Sequence, residues 1–96
     1  MTDVTEAEIL FSYALGQHEV ELAVHADGAL ALRLDGCERK RRGAGGGPAY
    51  LWTNVELPFE DHHFLEVRRS PDGITISENG RTLTRLAPAP GPGEHA

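Results

Sequence analysis

Three groups of residues in this chain could do chemistry or hold a partner. Asp61-His62-His63, preceded by Glu60, gathers the imidazoles and carboxylates that bind metals. Adjacent strand residues point to opposite faces, so His62 and His63 could share an ion only across a sharp bend. Structural zinc sites pair Cys and His ligands about two to four residues apart. No second cluster of that kind exists, although His18 and His25 could approach in space. Histidines at a strand end, facing water, are the expectation, with no metal and no other cofactor. Cys37 is the one cysteine, and Arg39 with the bases after it would lower a thiol pKa toward the reactive thiolate. No oxyanion-hole loop, orienting acid or nucleophile elbow accompanies it, and Ser12, Ser70 and Ser77 lie outside any motif. An enzyme is not expected.

The third group points to binding. Arg39-Lys40-Arg41-Arg42 is the only dense charge run. It suits a phosphate, an acidic partner or the acidic face of a second copy, or else it is a solvated edge strand. The glycines at 43, 45, 46 and 47 do not make a phosphate loop, because no Gly-Lys-Ser/Thr and no helix follow. Tyr50 and Trp52 share one face of the next strand. They are core if both sides of that strand are covered, and otherwise an aromatic pair beside the bases. Tyr, Trp and Arg are the residues over-represented at interface hot spots.

Composition narrows the partners. The chain has 96 residues and net charge −6. Residues 1–38 hold eight acids and one base, while 39–42 are all basic and 43–96 hold seven acids and four bases. An acidic chain is a poor polyanion binder, which disfavours nucleic acid and anionic membranes. No basic-plus-apolar leader and no apolar run near the length of a membrane span is present, so a cytoplasmic protein is expected. Residues 1–8 read as a flexible segment and 87–96 as a Pro/Gly tail unable to hold a ladder. About 80 residues remain for a single core, enough to bury roughly 60% of the unfolded surface.

The elements that must position these residues read as short strands. Thr5 to Gly16 fits a capped helix, with Thr5 and Glu8 as a capping box. It also fits a strand with Ile9, Phe11, Tyr13 and Leu15 on one face. The hairpins downstream need another β layer, and the strand is taken. Val20, Leu22 and Val24 alternate with polar neighbours, and Leu30, Leu32 and Leu34 line the next strand. A three-residue loop, Ala26-Asp27-Gly28 with Gly28 left-handed, pairs Val24 with Leu30 and Leu22 with Leu32. Asp35-Gly36 turns into the basic strand, which belongs at a sheet edge, and residues 43–49 read as a flexible loop. Leu51, Thr53, Val55 and Leu57 share the face opposite Tyr50 and Trp52, and Pro58 ends that strand. From His62 to Leu86 the chain spells a meander. Ser70-Pro71-Asp72-Gly73 pairs Val67 with Ile76, and Asn79-Gly80 pairs Ile76 with Leu83. Seven or eight short strands joined by hairpins predict an all-β, antiparallel β-sandwich or small barrel over 9–86.

Gly16-Gln17-His18-Glu19-Val20-Glu21, Leu34-Asp35-Gly36-Cys37-Glu38 and Ile76-Ser77-Glu78-Asn79-Gly80-Arg81-Thr82-Leu83 occur in that order. Together they resemble one repeat of the FAS apoptotic inhibitory molecule (FAIM) family. That family has a Gly-x-His strand start, a Val-Asp-Gly-Lys-Glu turn and a closing Asn-Gly-Lys-x-Leu turn. This chain carries one repeat where family members carry two, and its glycine run replaces an aromatic segment. The resemblance implies a compact β-sandwich that binds protein and catalyses nothing. The residues and the resemblance together predict a protein-binding or regulatory domain whose partner is another protein, or a second copy of itself. Its contact surface is Arg39, Lys40, Arg41 and Arg42 with Tyr50 and Trp52. Two alternatives stay open. One is a carbohydrate-binding domain using Trp52 and Tyr50, the other a metal or thiol protein using Cys37 and the histidines.

Overall fold

The computed structural model describes residues 7–87. Eight strands follow one another along the chain, each antiparallel to the next within its sheet. β1 (Glu8–Leu15), β2 (His18–Val24), β3 (Leu30–Leu34) and β4 (Cys37–Arg42) form one sheet in that order. β5 (Ala49–Leu57), β6 (Asp61–Ser70), β7 (Gly73–Glu78) and β8 (Arg81–Leu86) form the other. The expected all-β sandwich is therefore the fold, and the ambiguous stretch before Gly16 is a strand. Apart from their innermost residues, the expected N-terminal segment and Pro/Gly tail lie outside the described residues.

The alternation of apolar and polar residues decides which faces meet. Leu15, Val20, Leu22, Leu30, Leu32 and Leu34 pack from the first sheet against Leu51, Val55, Leu65, Val67, Ile74 and Ile76 from the second. Each such side chain, fully buried, contributes about 1.5–3 kcal/mol of transfer free energy. The turns hold these residues in register. Asp35 and Asn79 adopt φ of 52° and 51°, each followed by a left-handed glycine, the two-residue turn that matches strand twist. Gly28 at φ 91° closes the three-residue loop, and Val24 faces Leu30 and Leu22 faces Leu32, as the sequence predicts.

Three details differ from the sequence-based expectation. Leu10 forms a bulge in β1, so Ile9 turns to the outer face beside Ala23, while Phe11, Tyr13 and Leu15 face the core. A second bulge places Ile76 opposite Thr84 instead of Leu83. The unbroken register would have pointed Arg85 inward and Leu86 out; the extra residue reverses both and sets Leu86 opposite Ile74. Lastly, residues 43–49 are not a loose connection but a closed turn around Arg69, described below.

Candidate functional site

β4 is the last strand of its sheet, so its far side presents unpaired backbone groups, as predicted for a strand this charged. Arg39 sits in a bulge: Arg33 faces Glu38 and Leu32 faces Lys40, leaving Arg39 unopposed. Lys40 and Arg42, opposite Leu32 and Leu30, lie on the rim that turns toward β5. Arg41 takes the outer face, within 3.8 Å of Asp27 and 4.0 Å of Glu38. Arg42 donates to the Arg41 carbonyl at 2.8 Å. Among the described residues Arg39, Lys40 and Arg42 have no carboxylate in salt-bridge range, although Arg39 adds to the field that lowers the Asp35 pKa. The larger causes at Asp35 are hydrogen bonds from His18 (2.6 Å) and from the Glu19 amide (2.8 Å).

β5 carries the aromatic half of the surface. Tyr50 and Trp52 are 39% and 41% exposed, so the outer face of this sheet is uncovered there and they are not core. The Lys40 ammonium lies 4.6 Å from the Trp52 ring centroid, joining the basic strand to the aromatic one. Phe64 on β6 supports Trp52 at 5.7 Å between ring centroids. Beside them the Arg68 guanidinium lies 4.3 Å over the Tyr50 ring, and Tyr50 donates its hydroxyl proton to Glu66 at 2.6 Å. That hydrogen bond, with partial burial and the Glu66 charge, raises the Tyr50 pKa and keeps the phenol a donor. All six residues predicted for the site thus lie on β4 and β5, with direct contact between the two strands at Lys40 and Trp52.

The other candidate chemistries do not assemble. Cys37 is exposed at the end of its hairpin, opposite Leu34, and the four described histidines face carboxylates rather than the thiol. Adjacent His62 and His63 do point to opposite faces, His62 toward Glu56 and His63 toward Asp61 and Glu78. Among the described residues no group of three or more His, Cys, Asp or Glu side chains comes together in a way that could hold a metal ion. Between the sheets, an apolar gap of about 10 Å³ lies beside Phe11, Tyr13 and Leu65, room for one water and far below a ligand cavity. No helix of the described residues is long and apolar enough to cross a membrane.

Two constellations escape local sequence rules. Arg69, on the inner face of β6, donates from Nε to the Gly47 carbonyl at 2.6 Å. It also donates from Nη1 to Gly28 and from Nη2 to Gly43, each at 2.7 Å. One side chain thereby ties the β2–β3 loop of the first sheet and the β4–β5 connection to the second sheet. The signal was an arginine at an inward strand position, coupled to a glycine run. The second is His63, whose Nε2 meets Asp61 at 2.9 Å and whose Nδ1 meets Glu78. Only a charged imidazole donates from both nitrogens, and the bonds to Asp61 and Glu78 raise its pKa above the ordinary value. Behind this pair the Tyr13 hydroxyl is buried without a partner, its pKa pushed up to about 12 by burial and the charge of Glu78.

No protein-family model, curated protein or solved structure matches this chain. The FAIM resemblance therefore rests on the quoted motifs alone.

Proposed function

We propose that this domain is a non-enzymatic, cytoplasmic protein-binding module of the FAIM-like kind, which holds an acidic, extended segment of a partner protein. Its contact surface is Arg39, Lys40, Arg41 and Arg42 together with Tyr50 and Trp52. The observation that supports this reading most is the Lys40–Trp52 contact. It brings the basic strand and the aromatic strand, which the sequence reading joined in one surface, into direct contact. Three of the four bases there lack a carboxylate partner among the described residues, so an acidic ligand would meet charge that is not already neutralised. The carbohydrate reading is less favoured. Sugar rings stack on open aromatic faces, and here cations already lie over a face of both Trp52 and Tyr50.

Trp52 is the only tryptophan, so its emission reports on the surface directly. A synthetic peptide alternating Glu and Val is titrated into the full chain at low and high salt. The expected result is a saturable emission change that weakens with salt, because the attraction is between exposed charges. Lys40→Glu combined with Arg42→Glu should weaken it by about tenfold or more. An absent response, an unchanged response in that variant, or saturation by a neutral oligosaccharide instead would overturn the proposal.

A further inference from the structure

The four outer strands of the two sheets are not equally defended. β4 carries four consecutive cations and a bulge, which discourage pairing with a strange strand. β8 carries Arg81, Arg85 and a bulge of its own. β5 lies against β4. β1 is different. From Ile9 to Leu15 it has no charge, no proline and no glycine, and in its sheet it is hydrogen-bonded on one side only, to β2. Its single irregularity, at Leu10, leaves residues 11–15 in regular register. Long, uncharged edges of this kind recruit other strands.

The geometry points to a second copy of the chain as the occupant: we propose that two β1 strands pair antiparallel about a twofold axis at Ser12, joining two four-stranded sheets into one of eight. The turn at Gly16-Gln17 makes Leu15 and His18 the closing hydrogen-bonded pair. By alternation Phe11 and Tyr13 bond inward to β2, while Ser12 and Ala14 turn their N–H and C=O toward the free edge. Ser12 against Ser12 then exchanges two backbone hydrogen bonds. The same register sets Phe11 opposite Tyr13 of the other copy in the closer, non-hydrogen-bonded pairing, where aromatic side chains gain most from contact. These two rings already pack at 5.6 Å within one chain, on the core side of β1, and both remain half-buried. On the outer face Ser12 and Ala14 are small and exposed, so nothing blocks approach. Glu8, the one charged residue of the strand, falls beyond Leu15 of the other copy, far from its own twin. Self-pairing of β4 would instead oppose cation to cation. A strand from a charged partner would leave its charges facing an apolar edge. β1 itself supplies the uncharged, register-matched strand this edge accepts.

Light scattering of the full chain behind a sizing column tests this. The expected mass is twice the 10.4 kDa of one chain at both low and high salt, since no ion pair holds the interface. Ser12→Lys and Ser12→Glu each set like charges directly opposite one another and should raise the dissociation constant by about tenfold or more. Mixed in equal amounts, the two variants should recover the dimer, which misfolded variants could not do. A monomer at high micromolar concentration overturns the proposal, as does a dimer that Ser12→Lys leaves intact. A dimer that dissolves at high salt also overturns it and assigns the contact to the basic strand. The peptide response of Trp52 should be the same in Ser12→Lys as in the unaltered chain, so the binding surface and this edge succeed or fail separately.

Discussion

Phe59, in the short 3-10 turn Pro58–Glu60 between β5 and β6, has φ of 67° and 97% of its surface exposed. A left-handed backbone costs an L-residue about 1–2 kcal/mol, and here no burial offsets it. Asn tolerates that conformation without the extra chain freedom of Gly. Phe59→Asn should therefore stabilise the domain by roughly 0.5–1 kcal/mol, seen as a higher urea midpoint with an unchanged slope. A loss of stability would mean that the ring packs on something in solution. Nothing in Pro-Phe-Glu announced the strain, because Phe is not a residue that turn rules associate with positive φ. Trp52 was half legible in the same sense. Alternation gave it a face, but whether that face met another layer depended on how two distant sheets stack.

The closed turn at 43–49 shows why an element can be misread when its constraint comes from elsewhere in the chain. Four glycines without periodicity read as flexibility, yet the loop is shaped by a guanidinium on β6. A Cβ on Gly43 would lie 2.5 Å from Arg69 Nη2 and 2.8 Å from the Ala49 Cβ, at φ +84°. At Gly45, φ is +93° but nothing lies within 4 Å. Gly45→Ala should then cost only its backbone term, about 1 kcal/mol, and Gly43→Ala distinctly more, about 2–3 kcal/mol. Arg69→Lys should resemble Gly43→Ala, because an ammonium cannot reach three diverging carbonyls with the guanidinium fork. Urea titration of the three variants checks the order. Equal costs at Gly43 and Gly45 would show that Arg69 does not hold the loop. The hairpins, by contrast, were legible, since Asp35-Gly36, Asn79-Gly80 and Ala26-Asp27-Gly28 fix their geometry with adjacent residues. The β8 bulge was not, because it depends on which of Arg85 and Leu86 reaches a core built from both sheets.

At the scale of the whole molecule, proton binding couples the two ends of the pH range to particular strand contacts. Asp35 has its pKa lowered in the fold, so its contribution is present above the ordinary carboxylate range and is lost as pH falls through the folded value. His63 runs the other way. Its folded pKa is raised, so it favours the native state fully below about pH 6.5, and that contribution is lost as pH rises through the folded value. The groups facing it are Asp61 on its own strand and Glu78 on β7, with the buried Tyr13 hydroxyl from β1 beyond them. The imidazole, held between them with its pKa raised, is the group whose charge this contribution follows. His63→Gln keeps an amide donor but cannot change charge. The urea midpoint of the unaltered chain should fall between about pH 6.5 and pH 8.5, and that of His63→Gln should fall less over the same interval. Asp35→Asn serves as the control, since it should change the acid limb and leave the neutral one alone. Parallel slopes for the unaltered chain and His63→Gln would refute the assignment. The same profile bears on how the sheets are tied together. Asp61, His63 and Glu78 sit at one end of the inner face of β6 and β7, and Arg69 sits at the other. A neutral His63 therefore loosens the end that the three Arg69 hydrogen bonds do not hold.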